Sequence, residues 1–358
     1  MLADHVEFVV GVDTHKHRHT AALVAANGAL IDSLELPATA SGYRQLLDWV
    51  EEQADAPRAW AIEGTASYGA GLASYLQERS EWVLEVDCPT RPARRKGGAK
   101  SDPIDAVRAA REALSKDVFA SPRQRGPREA LRALQTTREG TMKARTKGLN
   151  QLHALVVAAP EELRATLRGL SSTDLVRHCA RLRRSSRRDV EWDTYVDLLR
   201  RIAQRVRALE AEADAYQQQI AQLTKSMAPA LCAEEGVGPI SAAQMLISWS
   251  HPGRVRSEAA FASLGGAAPI EASSGQHIRH RLNRGGDRQL NRALHNVASN
   301  RMLYHQGTRE YVERRRREGK TDREIRRCLK RYLARRFFKL LERAAIERMF
   351  ATAPEIAA

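Results

Sequence analysis

Cysteine is scarce in this chain: Cys88, Cys179, Cys232 and Cys328 are the only four among 358 residues. No two have CxxC spacing, which excludes a zinc ribbon and a disulfide framework. No apolar run approaches the roughly 20 residues that cross a bilayer, which excludes a membrane-spanning helix. The opening residues, MLADHVEFVV, read as the start of a strand rather than as a signal peptide. The expectation is a soluble cytoplasmic protein with reduced thiols and no membrane partner. Acidic charge is also in deficit, with 43 Asp and Glu against 58 Lys and Arg, a net charge of +15 and a pI near 10.1. Such a surplus implies a polyanionic partner, and nucleic acid is the first candidate. The excess is uneven: residues 301–350 hold 17 Lys and Arg against 7 Asp and Glu, a net charge of +10. A charge run of this kind can also be a merely solvated helix face.

Four of the acids carry a pattern. Asp13 ends the apolar run Val6–Val12, and Glu63 ends the run Ala59–Ile62. Asp102 and Asp105 sit three apart in Lys-Ser-Asp-Pro-Ile-Asp-Ala, at the start of a helical pattern. Hard Mg²⁺ or Mn²⁺ ions take carboxylate oxygens, and a two-metal phosphoryl-transfer site needs several of them converging on ions about 4 Å apart. Asp102-Pro103 also suits a helix start on its own, because Asp caps well and Pro fits the first helical position. Strand-end acids such as Asp13 and Glu63 have no capping role, so the four together favour a metal site. His15, His17 and His19 alternate and are expected on one face of a strand, turned to solvent or to phosphate.

Residues 1–120 read as one α/β domain. Three successive strands, Val6–Asp13, Thr20–Ala25 and Ala29–Leu36, are joined in part by an Asn27-Gly28 turn. A helix over Ser41–Gln53 with Ser41 as its N-cap follows. Then come a strand Arg58–Ile62, a helix near Tyr68–Arg79, a strand Trp82–Val86 and a helix Pro103–Leu114. Three antiparallel strands followed by β-α units is the order of an RNase H-like sheet. The basic loop with Arg94, Arg95 and Lys96 lies between the last strand and helix, beside the acids.

Residues 121–230 read as helical. Tyr195, Leu199, Ile202, Val206, Leu209, Ala213, Tyr216, Ile220 and Leu223 alternate steps of four and three, a coiled-coil heptad. Its partner is either the same helix in another subunit, which would make it a dimerising device, or the earlier helix around Leu131–Leu155. Residues 231–305 form a third region. Its Glu-Gly-Val-Gly-Pro run resembles a helix-hairpin-helix turn, in which Gly236 and Gly238 leave N–H groups to meet a phosphate. A plain helix-helix turn would use the same residues. Further on, Ser273 and Ser274 precede Gly275, and Arg279, Arg281 and Arg284 follow, with Arg288 on the next helix. A serine flanked by cations can attack phosphorus, but nothing in the spacing separates these serines from ordinary loop residues. Residues 306–358 are a basic helical tail.

The runs GVDTHK, AIEGT and KSDPIDA resemble the DEDD-bearing RuvC-like domain of the one-ten (110) family of insertion-sequence transposases. The runs GVGPISAAQML, FASLGGAAPIEASSG and RLNRGGDRQLNRALHNVA resemble that family's C-terminal transposase domain. The resemblance covers most of the chain to about residue 300, in the expected order. Such enzymes are similar to the Piv site-specific invertases. It implies recombination of double-stranded donor and target DNA, with Mg²⁺ or Mn²⁺ at Asp13, Glu63, Asp102 and Asp105. It implies a nucleophilic serine in the transposase domain, Ser274 with Ser273 as the reserve. It also implies a structured noncoding guide RNA, the bridge RNA of the element, and action at the nucleoid of a prokaryotic cell. With acids and serine in separate domains, a homodimer or homotetramer is expected. A hydrolytic RuvC-like junction resolvase would use the same acids with water as nucleophile. A non-catalytic nucleic-acid scaffold would need neither acids nor serine.

Overall fold

Valine- and alanine-rich runs build a five-stranded sheet in the first part of the chain. The computed structural model describes residues 1–54, 57–86, 102–117, 119–123, 125–184, 189–268, 270–271, 280–281, 283 and 285–352. They divide into two compact units, Met1–Arg125 and Gly126–Ala358.

In the first unit, β1 (Phe8–Thr14), β2 (Arg18–Ala25) and β3 (Leu30–Pro37) form an antiparallel meander. The β2–β3 turn closes at Gly28, whose φ of +85° is costly for any residue with a β-carbon. Its N–H donates to the Ala25 carbonyl at 2.8 Å. Next come α1 (Ala40–Gln53), β4 (Arg58–Glu63), α2 (Ala70–Gln77), β5 (Val83–Val86) and α3 (Asp102–Leu114). β4 lies parallel to β1 and β5 parallel to β4, so the sheet order is β3-β2-β1-β4-β5. This is the RNase H-like α/β arrangement expected from the strand order.

Both faces of the sheet are covered. Val10, Val12, Trp60 and Ile62 pack with Leu46 and Val50 of α1 and Leu72 and Leu76 of α2. Val9, Ala59 and Ala61 pack with Ala106, Ala109, Ala110 and Ala113 of α3. The indole N–H of buried Trp60 donates to the Glu81 carboxylate at 2.6 Å, and Arg58 donates to both oxygens of that carboxylate at 2.6 and 3.0 Å. The cap of α1 differs from expectation. Thr39 has the extended backbone an N-cap needs, and its Oγ1 accepts from the Gly42 N–H at 3.2 Å. Ser41 is already inside the helix.

Among the described residues, the second unit is helical except for one short ribbon. It begins with α4 (Pro127–Ala158), α5 (Glu161–Leu167), α6 (Ser172–Cys179) and α7 (Val190–Met227). α4 and α7 run antiparallel, with Arg138 donating to Gln217 at 2.8 Å, Arg145 to Glu210 at 2.6 Å and Arg205 to Gln151 at 2.9 Å. Leu199, Ile202, Val206, Ala213 and Ile220 of the heptad are buried. Gly148 admits Val206, since a β-carbon there would stand 3.0 Å from Val206 Cγ2. Of the two partners the heptad left open, it meets the earlier helix of its own chain.

The unit continues with α8 (Pro229–Cys232), α9 (Pro239–Trp249), α10 (Glu258–Leu264), the antiparallel ribbon β6 (Ile270–Glu271) and β7 (His280–Arg281), α11 (Arg288–Tyr304), α12 (Gln306–Arg317) and α13 (Asp322–Thr352). Its core gathers Trp249, Phe261, Leu294 and Val297 with Val312 of α12 and Ile325, Leu329, Leu333, Phe337 and Leu341 of α13. Steps of four put this apolar stripe on one side of α13. The basic end of the chain is therefore part of the fold's core as well as a charged surface. Among the described residues, no helix is long and apolar enough to cross a membrane.

Candidate active site

Period-two alternation decides which way the strand-end acids face. Asp13 shares a face with Val9 and Gly11, and Glu63 shares one with Ala59 and Ala61. Both faces look toward α3. Val12 pairs with Ile62 on the neighbouring parallel strand, so Asp13 and Glu63 follow side by side, about 4.8 Å apart in the backbone.

α3 sits almost on the backbone of β1. A β-carbon at Gly11 would lie 2.0 Å from the Ala106 carbonyl oxygen and 2.7 Å from the Ala110 nitrogen. Ala106, Ala109, Ala110 and Ala113 line the face of α3 over the sheet, which permits this closeness. The Leu2 N–H donates to the Lys116 carbonyl at 3.0 Å, which ties the chain ahead of β1 to the end of α3. β1 and α3 therefore run in opposite senses, so the end of β1 lies toward the start of α3.

The chain turns sharply beyond Glu63. Gly64 takes a φ of +66°, and Thr14 Oγ1 donates to the Glu63 carbonyl at 2.9 Å, pinning the two strand ends together. His15 Nδ1 stands 3.8 Å from Asp13 Oδ2. Asp105 pairs with Arg108 of its own helix at 2.9 Å. Among the described residues, no Lys or Arg pairs with Glu63, and no three His, Cys, Asp or Glu side chains are grouped closely enough to hold a metal. The Asp102 side chain lies outside the described residues. Asp13, Glu63 and Asp105 offer carboxylate oxygens, the donors a hard divalent cation takes, and the His15 ring beside Asp13 adds a nitrogen.

The histidines do not share a face. His15 and His17 belong to the β1–β2 turn, whereas His19 lies within β2 and is fully buried. Its ring stacks on Tyr43 of α1, with centroids 5.8 Å apart, and burial lowers its pKa. A strand that starts at Arg18 rather than before His15 explains the difference.

The other expected contacts fall in two groups. Arg94, Arg95, Lys96, Ser273, Ser274, Arg279 and Arg284 lie outside the described residues. Arg281 is in β7 opposite Ile270, and Arg288 is exposed at the start of α11. Asp287 caps α11, its carboxylate accepting from the N–H groups of Gln289 and Leu290 at 2.9 and 3.0 Å. The turn between α8 and α9 uses Gly236 at a φ of +79° and Gly238 as the residue before Pro239. It is braced by buried Arg301, which donates to the Glu235 carbonyl at 2.7 Å and to the Glu234 carboxylate at 2.6 Å. Gly11 is the positioning residue that sequence reasoning missed. Its only signal was a glycine inside a valine run.

Models of two protein families match this chain. Residues 10–159 match one named for a DEDD transposase of IS110 and described as "Transposase", and residues 228–313 match one described as "Transposase IS116/IS110/IS902 family". The chain belongs to this transposase family. The first match contains Asp13, Glu63, Asp102 and Asp105, and the second contains Ser273, Ser274 and Arg288. The protein is a DNA transposase or recombinase of an insertion sequence, and DNA is its substrate. A comparison with curated proteins gives no match.

Proposed function

We propose that this transposase cuts and rejoins double-stranded donor and target DNA through a covalent phosphoserine, guided by a structured noncoding RNA of its own element. The observation that supports this most is that Asp13 and Glu63 each follow the last pair, Val12 and Ile62, of two adjacent parallel strands on the sheet face covered by α3, within a chain of this family. Asp13, Glu63, Asp102 and Asp105 are the residues to hold Mg²⁺ or Mn²⁺. Such an ion, when bound, supplies positive charge to the scissile phosphate and lowers the pKa of an attacking oxygen.

The chain's own groups do the rest. Ser274 Oγ bonds to phosphorus as the ester bond to one deoxyribose oxygen breaks. The proton that Ser274 gives up ends on that deoxyribose hydroxyl. One phosphate ester replaces another, so rejoining needs no external energy source. Arg279, Arg281 and Arg284 balance charge on the phosphate oxygens, and Ser273 is the reserve nucleophile. Arg94, Arg95, Lys96, Gly236, Gly238 and Arg288 contact nucleic-acid backbone. Acids and serine from two copies complete a site in a homodimer or homotetramer. The enzyme works in the cytoplasm, at the nucleoid when active.

The guide is tested by reconstituting recombination with purified protein and RNA transcribed from the element's noncoding flank. Strand exchange should require that RNA and should follow its sequence when its loops are rewritten. Exchange of equal rate without RNA would contradict the guided reading.

A further inference from the structure

Lys330 is 6% exposed, yet its ammonium has no carboxylate partner among the described residues. Its Nζ donates to Asn291 Oδ1 at 2.8 Å, and the Asn291 amide donates to the Gly265 carbonyl at 2.7 Å. Its charged neighbour on α13 is Arg326, one helical turn away. Arg326 Nε is buried without a hydrogen-bond partner, and Arg326 makes no ion pair among the described residues. His295 of α11, one turn beyond Asn291, faces both, and its pKa is lowered by burial and then by Arg326 and Lys330. Burial and Arg326 likewise lower the pKa of Lys330.

The nearby acids are hydrogen-bonded elsewhere, and Asp322 attracts Arg326 only at a distance. Asp287 caps α11 and accepts from Ser248, and Asp322 accepts from Arg316 at 2.7 and 2.8 Å. A buried charge without a counter-ion is costly, and proteins normally pair or neutralise it. Asn291 also lines a cleft of about 270 Å³ with Asn283, Gly285, Asp287 and Arg288. The chain beside this cleft is closely packed. Gly286, at a φ of +89°, is pressed against the Leu264 carbonyl, which accepts from the Asp287 N–H at 2.7 Å.

We propose that α11 and α13 form a clamp for one backbone phosphate of the DNA strand, with Arg288 and Asn291 at its mouth, His295 and Arg326 along its side, and the Lys330 ammonium behind. The counter-ion missing from the protein is then the phosphodiester itself. Lys330 acts as a positioning residue: it orients Asn291 and supplies charge from a site too dry to screen it. The clamp joins the segment matched by the family to the basic end beyond residue 313, which that match does not cover. The assignment rests on the reading above only in taking DNA as the ligand.

The test is equilibrium binding of the full chain to duplex DNA across a salt series, beside thermal unfolding without nucleic acid. Lys330→Met removes an unpaired buried charge, so its melting temperature should equal or exceed the wild-type value. Its DNA affinity should fall about five- to tenfold, and the log–log salt slope should become shallower by ~0.9, the loss of one phosphate contact. Arg326→Gln, on the half-exposed side, should shift the slope the same way and serves if Lys330→Met fails to fold. Unchanged affinity and slope in both variants would overturn the clamp, whatever happens to the melting temperature. A change seen with structured RNA and not with duplex DNA would overturn the assignment to DNA. No strand exchange enters these readouts, so failure of the serine or guide-RNA reading leaves them intact, and the reverse holds too.

Discussion

Gly11 lies directly beneath the Ala106 carbonyl, so close that a β-carbon would stand 2.0 Å from the oxygen. This contact fixes the height of α3 above β1. The separation of Asp13 and Glu63 from Asp102 and Asp105 depends on that height.

Gly11→Ala should therefore push α3 off the sheet. Overpacking of this kind costs ~1–3 kcal/mol or more, because backbone rather than a flexible side chain must move. A lowered melting temperature together with lost recombination is expected. Gly140→Ala, on α4 with open space around it and an ordinary helical φ, should leave both unchanged and serves as the comparison. Wild-type stability and activity in Gly11→Ala would refute the close seating of α3.

Glu63→Gln and Asp13→Asn should abolish strand exchange, by about 100-fold or more, while the melting temperature stays near wild type. Each removes a negative charge that a divalent cation would need and keeps the side-chain volume. Circular dichroism and a recombination assay over a Mg²⁺ and Mn²⁺ series check this. Exchange at the wild-type rate in both variants would remove these acids from the chemistry.

Glu81 sets a pH dependence. Burial raises the pKa of its carboxyl, but the hydrogen bonds from Arg58 and Trp60 outweigh that and hold it below the usual 4.5. A depressed carboxylate stabilises the fold above its unfolded pKa, and that contribution fades as pH falls through the folded value. The first unit should lose stability as pH drops below about 4.5. Glu81→Gln should cost ~2 kcal/mol at neutral pH and flatten the acid limb of the melting curve. A variant whose pH profile overlays the wild type would contradict the assignment.

Much of the first unit was legible because its strands announce themselves. Apolar runs ending in Asp13 and Glu63 gave both the sheet and the acids, and Gly28 marked the hairpin. Local chemistry was harder to read. Thr39 and Ser41 are both good caps, and only backbone geometry separates them. His19 alternates with His15 and His17, yet the strand begins between them and buries it beneath Tyr43. The heptad of α7 was visible, but periodicity does not choose a partner, and Gly148 of α4 became informative only beside Val206. The apolar stripe Ile325–Leu329–Leu333–Phe337–Leu341 was present in the sequence, obscured by the arginines on the rest of α13. Ser273 and Ser274, in the segment between β6 and β7, lie outside the described residues, so their assignment still rests on the family's motif.

Covalent capture on stalled DNA substrates tests the central claim most directly. Reactions on nicked or mismatched DNA should yield a protein–DNA adduct that survives denaturant, because a serine phosphate ester does not depend on the fold. The account predicts that the adduct vanishes in Ser274→Ala and persists in Ser273→Ala. Loss only in Ser273→Ala would move the nucleophile by one residue. Free 5′-phosphate nicks with no adduct in the wild type and both variants would contradict the covalent route and leave a hydrolytic resolvase in its place.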